Sequence, residues 1–389
     1  MTRGAPAAFA VRRAAPTLLE NPMTASATSR GAPASGAASS DTRQAKPADA
    51  EVAACLVELG LGAPLGDGSV PAGRNRNWAG STSRGQRVFV KQLRGNPGDA
   101  RRRLRRSAAF GEAMHSAGLP SPRPLGACEK HLVVASELIE NATSGADLAQ
   151  ADEFDSALAG AAGDLVARLH SSPPEIASET SRPPLPDLDL LYALPLSTYV
   201  NISNAEATFW RLVQSDSGIA ETVAQLLADS DRAAHVPAHC DLRLDQLLRS
   251  DGRLLLTDGE EFRLADPARD VGSFAGEWLF RSIAGLVTDL DDATAEHPTE
   301  AQIIRTAARR LAERRPIVAS FWSAYLKARQ PDPGLAARAT AFAGWHLLDR
   351  AVAGAARSSR LAAPLRAAMG VGRKALAAPD HFAATIGLG

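Results

Sequence analysis

The stretch that decides the fold runs from Ala238 to Asp258 and reads AHCDLRLDQLLRSDGRLLLTD. Its dipeptide Asp251-Gly252 lies between two apolar runs, which is a strong signal for a β-hairpin closed by a type I′ turn. A reversal of the chain at this dipeptide pairs Ser250 with Arg253. The sequence therefore predicts a hairpin at this position.

The arms of this hairpin carry candidate metal ligands. Counting outward from the turn places Gln246 opposite Thr257, so Asp258 lies beside Gln246. Amide and carboxylate oxygens are ligands that Mg²⁺ accepts, with phosphate and water completing its shell. Asp241, five residues before Gln246, lies on the entering loop, where it can accept a proton from an attacking hydroxyl. This is the layout of an ATP- and Mg²⁺-dependent phosphotransferase. The alternative is a surface hairpin with solvated carboxylates.

Two neighbours of Asp241 carry reactive groups. We interpret His239 as a structural brace and not as a proton carrier. Cys240 has no dedicated base in the sequence, so we expect an inert, packed thiol.

Upstream, Lys91 lies in an alternating strand, Arg87 to Leu93, on the same face as Phe89. A lysine on an apolar strand face either extends to an edge or neutralises the phosphates of a nucleotide, and the downstream hairpin favours the second role. The preceding loop, Gly73 to Gly80, contains Asn75 and Asn77, and its backbone N–H groups can cover phosphates. An ordinary turn is the equal alternative for this loop.

The helix predicted from Gly98 to Ser116 should supply a carboxylate to pair with Lys91. Its acidic residues are Asp99 and Glu112, and Glu112 is the better candidate. Five arginines between positions 101 and 106 open the same helix. They are either a solvated face or a surface for an acidic peptide.

Downstream of the hairpin, the run FRLADPARD at residues 262–270 ends at Asp270, just before a predicted helix. Asp270 either caps that helix or holds the loop around Asp241 in place.

Composition and pattern set the architecture. The chain has 389 residues with no net charge, so it is no general binder of nucleic acid or anionic membrane. Its three cysteines are widely spaced, which favours a reducing, cytoplasmic location. No apolar run approaches the roughly 20 residues of a membrane-spanning helix.

Three regions follow one another along the chain. Residues 1–48 are rich in Ala, Ser, Gly and Pro, and we expect disorder there, with Met23 as an alternative start. Residues 49–140 alternate short strands and helices and form a small β-rich lobe. Residues 141–389 form a large helical lobe that carries the catalytic and metal-binding loops. The fold class is therefore α+β.

The chain resembles the aminoglycoside phosphotransferase-like kinases. The resemblance rests on the hairpin block with Asp241 and Gln246, on the segment from Thr257 to Asp270, and on three upstream pieces: Asn75 to Trp78, Val90-Lys91 and Leu169-His170. It implies a two-lobed protein-kinase-like fold with ATP between the lobes and a nucleotide-binding hinge near Glu137 to Glu140, which includes Ile139.

The sequence departs from this family at three positions. Gln246 stands where most members have Asn, although some branches use Gln. Cys240 replaces a usual Gly, and Gly259 replaces a usual aromatic residue.

A finer resemblance is to the kinase subunit of class V lanthipeptide synthetases. It is carried by residues 75–80, 239–246, 260–278 and 345–388. It implies phosphorylation of Ser and Thr hydroxyls in a ribosomal precursor peptide, with a separate lyase and a cyclase as partners. Two alternatives stay open: a small-molecule kinase acting on an antibiotic or a sugar, and an ATP-binding scaffold for partner enzymes.

Overall fold

The structure is a computed structural model of the chain, and it describes residues 45–69, 75–177, 179–285, 300–356 and 358–389. The strands are β1 Ala45–Pro47, β2 Pro64–Ser69, β3 Arg76–Thr82, β4 Arg87–Gln92, β5 Pro124–Cys128, β6 Val133–Glu137, β7 Thr143–Ser144, β8 Val236–Ala238, β9 Leu247–Ser250, β10 Arg253–Leu256 and β11 Arg263–Ala265. The helices are α1 Ala50–Glu58, α2 Pro97–Ser116, α3 Gly145–Gln150, α4 Ser156–His170, α5 Leu188–Tyr192, α6 Leu196–Tyr199, α7 Asn204–Gln214, α8 Ser217–Arg232, α9 Ala268–Ala284, α10 Glu300–Ala328, α11 Leu335–Ala355, α12 Ala363–Ala377 and α13 Pro379–Ile386.

The N-terminal part is an antiparallel sheet in the order β1-β2-β3-β4-β6-β5. Alternation along β4 divides its side chains between two faces. Val88 and Val90 pack in a buried cluster with α1, whereas Phe89 and Lys91 line a large cleft. The strand therefore directs Lys91 toward the cleft.

Helix α2 crosses beside this sheet. Asn96 caps it, with its side-chain oxygen accepting from the backbone N–H of Gly98 at 2.9 Å, and Pro97 opens the first turn. The predicted helix from Gly98 to Ser116 is confirmed.

The C-terminal part is built on helices α4, α9, α10 and α11, which pack on one another around one large core. Small residues permit close helix contact at several crossings. Gly163 of α4, for example, faces the backbone of Phe321, where a Cβ would have no room. The ring of Phe321 stacks on Phe274 of α9 at 4.1 Å. The α+β, two-lobed kinase-like class is confirmed by this architecture.

One predicted boundary was wrong. β1 lies inside the stretch expected to be disordered, because it finds a partner in β2; the remainder of that stretch, residues 1–44, lies outside the described residues. Helix α4 begins at Ser156, because Asp155 caps it. Helices α7 and α8 are separated at Asp216, which caps α8. The division of the lobes at residue 140 stays a prediction.

Across the described part of the chain, no helix is long and apolar enough to cross a membrane.

Candidate active site

The hairpin forms in the predicted register. Ser250 pairs with Arg253, and Asp251 and Gly252 have φ values of 48° and 72°, the two positive angles that a type I′ turn requires. Beyond the ladder, the backbone N–H of Thr257 donates to the carbonyl of Gln246 at 2.9 Å. The backbone therefore places residue 258 next to residue 246, as predicted.

Asp270 holds the loop that carries Asp241. Its carboxylate accepts from the backbone N–H of His239 at 2.7 Å and of Cys240 at 2.8 Å. On the other side, His170 contacts the same carboxylate through Nε2 at 3.0 Å. Burial alone would raise the pKa of Asp270, but the hydrogen bond and charge of His170 and the amide of His239 outweigh it and lower the pKa. Of its two predicted roles, Asp270 fills that of loop anchor.

His239 and Cys240, the two residues whose backbone N–H groups Asp270 accepts from, have the properties expected from the sequence. His239 is fully buried, donates from Nε2 to the carbonyl of Thr257 at 2.8 Å, and meets the edge of Phe110. It is a brace between the two arms of the site. Burial raises the pKa of the Cys240 thiol to about 12, with the charge of Asp270 adding to the effect, so the thiol is inert at neutral pH.

Cys240 has a φ of 64°, in the left-handed region. Glycine is the residue that adopts this region without cost, so a glycine would fit this position of the loop.

Asp241 is about half exposed on the wall of the cleft, with Oδ1 3.6 Å from Nε of Arg243. Arg243 also contacts Asp245 at 3.2 Å, and the charge of Asp241 is the main cause that raises the pKa of its guanidinium. Sequence reasoning missed Arg243. The available signal was its position two residues after Asp241.

Lys91 reaches the predicted metal ligand across the cleft. Its Nζ lies 2.5 Å from Oδ1 of Asp258 and also contacts Glu260. Burial lowers the pKa of Lys91, but the charges of Asp258 and then Glu260 outweigh it and raise the pKa. The side chain is therefore held as a cation.

The prediction that Glu112 pairs with Lys91 was wrong. Among the described residues, Lys91 forms ion pairs with Asp258 and Glu260, and Glu112 is exposed. A helix turns by about 100° per residue, so Glu112 lies half a turn away from Arg103, the residue that α2 directs into the site. Glu112 lines the outer part of the cleft.

Glu260 was missed as a functional residue. Its carboxylate is buried and accepts from Nε of Arg103 and from Nδ2 of Asn75, each at 2.6 Å. Nη2 of Arg103 in turn donates to Oδ1 of Asn75 at 2.9 Å. The described part of the Asn75 loop thus secures Glu260, whereas Gly73 and Arg74 lie outside the described residues.

Gly259, a position at which the resemblance implies an aromatic residue, packs against helix α2. A Cβ at Gly259 would lie 2.3 Å from the Cβ of Phe110. The ring of Phe110 packs edge-on against Phe262 and His239. The aromatic group of the site therefore comes from α2.

These groups share one cleft of about 1480 Å³ between the sheet and the helical part. Its lining includes the predicted nucleotide-binding residues, Asn75, Asn77, Lys91, Glu112, Glu137 and Ile139, and the predicted catalytic and metal-binding residues, Asp241, Gln246 and Asp258. The volume exceeds the usual upper range of about 1,000 Å³ for a small-molecule pocket. It therefore accommodates a nucleotide together with a second substrate.

The donor set at the hairpin fits Mg²⁺. Gln246 is buried with its Nε2 3.5 Å from Asp245, and its amide oxygen and the Asp258 carboxylate are both hard donors. Within the described ranges no group of three or more His, Cys, Asp or Glu side chains is arranged for a metal. A cation here would rely on phosphate and water for its remaining ligands, as Mg²⁺ commonly does.

Three features define a kinase-like phosphotransferase: the two-lobed fold, the anchored loop that carries Asp241, and Lys91 facing the candidate metal ligand Asp258. Residues 71–304 match the model of the phosphotransferase enzyme family, APH. This match covers more than half of the chain, so the chain belongs to that family. Membership makes it a kinase that transfers a phosphoryl group from ATP to a hydroxyl group.

Solved structures of related fold were also found. A putative fructosamine-3-kinase from Haemophilus somnus is 11% identical, with a TM-score of 0.48, covering 84% of this chain and 96% of that chain. A microcompartment-associated aminopropanol kinase is 14% identical, with a TM-score of 0.48, covering 87% and 99%. A choline/ethanolamine kinase family protein from Mesorhizobium loti is 14% identical, with a TM-score of 0.47, covering 82% and 92%. A search of curated proteins found no match.

Proposed function

We propose that this phosphotransferase acts with Mg²⁺ on Ser and Thr hydroxyls of a ribosomal precursor peptide, as the first step of dehydration in class V lanthipeptide biosynthesis. The resemblance at residues 75–80 and 239–246 suggests the peptide. The structural observation that carries the proposal is the chemistry of the cleft beyond Asp241, where arginines and paired carboxylates form the wall.

The reaction needs few groups. Asp241 accepts the proton of the attacking hydroxyl or orients that hydroxyl, and its half-exposed position on the cleft wall leaves it open to a substrate. Lys91 neutralises phosphate charge, and Gln246 and Asp258 would hold Mg²⁺, which supplies further neutralisation when bound. Catalysis then consists mainly of positioning and charge stabilisation.

The described part of the wall beyond Asp241 is formed by α9, α10 and α11. Two of its acidic residues are paired: Glu277 contacts Nε2 of His346 at 2.8 Å, and Asp349 contacts Arg350 at 3.0 Å. Arg281 lines the same wall, and among the described residues no carboxylate contact of its guanidinium is found. These contacts support an acceptor with acidic or neutral side chains, such as a peptide.

Three carboxylates that line the cleft, Glu260, Glu261 and Asp245, are candidate contacts for a cationic small-molecule acceptor. Glu260 is held by Lys91 and Arg103, Glu261 contacts Arg106 at 3.3 Å, and Asp245 contacts Arg243 at 3.2 Å. Each of them is thus already paired within the protein, which favours the peptide. The scaffold alternative is less favoured too, because Glu260 gives Lys91 a carboxylate partner.

A separate lyase that eliminates phosphate and a cyclase that closes thioether rings are the partners we propose for the same pathway. The cytoplasm is the location we propose for all three.

The test uses purified protein, Mg²⁺, ATP and the precursor peptide encoded beside its gene. We expect the peptide to gain phosphoryl groups on Ser or Thr, located by tandem mass spectrometry, and to lose them as phosphate when the lyase is added. Kanamycin, choline and glucosamine serve as competing acceptors. Phosphorylation of one of these small molecules, with the peptide unmodified, would replace the peptide by a small-molecule substrate.

A further inference from the structure

We infer that Glu260 is the residue that positions Lys91. Glu260 takes the place of the carboxylate expected from helix α2, and the arginines of α2 hold it there. The inference rests on ATP-dependent phosphoryl transfer and is independent of the identity of the acceptor.

The first observation is the charge of α2 at the site. The side chains that α2 directs toward Glu260, the partner of Lys91, are Arg103 and Arg106, and both are buried. Their positions, together with Phe110, recur at three- and four-residue spacing, which places them on one face of the helix. The face of α2 that meets the site therefore carries cations where a carboxylate was expected. An anionic group from elsewhere must link Lys91 to the arginines of the helix.

Glu260 is that anionic group. One carboxylate oxygen, Oε1, contacts Lys91 and accepts from Asn75, and the other, Oε2, accepts from Arg103 at 2.6 Å. Its backbone carbonyl accepts from Nε of Arg106 at 2.5 Å. Charge-assisted hydrogen bonds of this kind are short and directional. Glu260 is thus fixed on several sides while it holds Lys91.

The second observation is that Asp258 contacts Lys91 and is also a candidate metal ligand. Oδ1 of Asp258 contacts Lys91 at 2.5 Å, and the same carboxylate is the metal-type ligand of the hairpin. A cation at Asp258 weakens the attraction between Asp258 and Lys91, since two positive charges then share one carboxylate. Glu260 is not one of the candidate metal ligands, and Arg103 and Asn75 also hold its carboxylate. Glu260 is therefore the anion that keeps Lys91 directed into the cleft when Asp258 binds a metal cation.

A double-mutant cycle separates positioning from structure. The steady-state rate of ATP hydrolysis, which needs no peptide, is measured for the wild type, Glu260→Gln, Lys91→Met and the double variant. We expect Glu260→Gln to lower kcat by at least about tenfold, the scale of one charge-assisted contact, while KM for ATP changes by less than about threefold. In the Lys91→Met background the same substitution should lower kcat by less than about twofold, because Glu260 acts through Lys91.

Two further variants complete the test. Asn75→Ala removes one support of Glu260 without touching its charge, and should show the same dependence on Lys91 if Glu260→Gln does not fold. Arg105→Met is the matched control, since Arg105 lies on the same helix but is exposed, and within the described ranges its ion pair is with Glu129; its kcat should match the wild type. Equal losses of kcat in the wild-type and Lys91→Met backgrounds, or an unchanged kcat in Glu260→Gln, would overturn the inference. Hydrolysis of ATP without peptide phosphorylation would instead count against the proposed acceptor alone.

Discussion

The carboxylate of Asp270 accepts a hydrogen bond from the backbone N–H of Cys240 at 2.8 Å, across 30 positions of sequence. The next residue is Asp241, the candidate catalytic base. The first turn of α9 therefore fixes the loop from which Asp241 projects, and His170 orients the Asp270 carboxylate from α4. Removal of this anchor should disturb the reaction without touching a substrate.

Asp270→Asn tests the anchor. An amide has one acceptor oxygen, so it cannot serve both loop N–H groups and His170, and a buried donor is left without a partner. We expect a loss of about 2–4 kcal/mol in the free energy of unfolding and a fall in kcat of at least tenfold. Urea denaturation and a phosphotransfer assay measure the two effects. Asp164→Asn, an exposed carboxylate on α4, is the control and should change neither; an unaltered kcat in Asp270→Asn would contradict the role of anchor.

Cys240→Gly tests the interpretation of the thiol. With φ at 64°, a glycine relieves backbone strain of about 1 kcal/mol, offset in part by the greater freedom of glycine in the unfolded chain. We expect kcat within about twofold of the wild type and a thermal midpoint equal to or above it. A loss of phosphotransfer in a folded Cys240→Gly protein would show that the thiol takes part in the reaction.

Gly259→Ala tests the packing of Phe110. The added Cβ would overlap the Phe110 side chain, so α2 or the segment after Asp258 must move. Overpacking of this kind costs about 1–3 kcal/mol. The double variant Gly259→Ala/Phe110→Ala should recover kcat relative to Gly259→Ala, because it restores the space. Equal kcat in Gly259→Ala and the wild type would mean that the contact does not constrain the site.

A pH dependence follows from Glu277. Burial alone would raise its pKa, but the hydrogen bond and charge of His346, with Arg350 and Arg243, lower it from 4.5 to about 2. A carboxylate with a depressed folded pKa contributes stability that is fully present above about 4.5, its unfolded value, and is lost as the pH falls toward 2. We therefore expect Glu277→Gln to flatten the decline of the thermal midpoint between pH 4.5 and pH 2. An unchanged slope in that window would contradict the shift.

The sequence predicted the catalytic hairpin well because the information there is local. Asp251-Gly252 sets the turn, the turn sets the register, and the register brings residues 246 and 258 together. The direction of Lys91 was predictable for a similar reason, since alternation along a strand needs no knowledge of distant residues.

The partners of Lys91 were not predictable in this way. Glu260 meets Arg103 across 157 positions, and no local period reveals which face of α2 is turned inward. The rule that a helix carboxylate pairs with this lysine directed attention to Glu112. The contact between Gly259 and Phe110 is likewise visible only in three dimensions.

The most direct test of the central claim is phosphoryl transfer from ATP to the precursor peptide by Asp241→Ala, compared with the wild type and with Asp164→Ala. Asp241 is half exposed, so its removal should leave the thermal midpoint within a few degrees of the wild type. We predict phosphorylated peptide from the wild type and from Asp164→Ala, and near-complete loss in Asp241→Ala. Undiminished phosphorylation by a folded Asp241→Ala protein would contradict the assignment of this cleft as the active site.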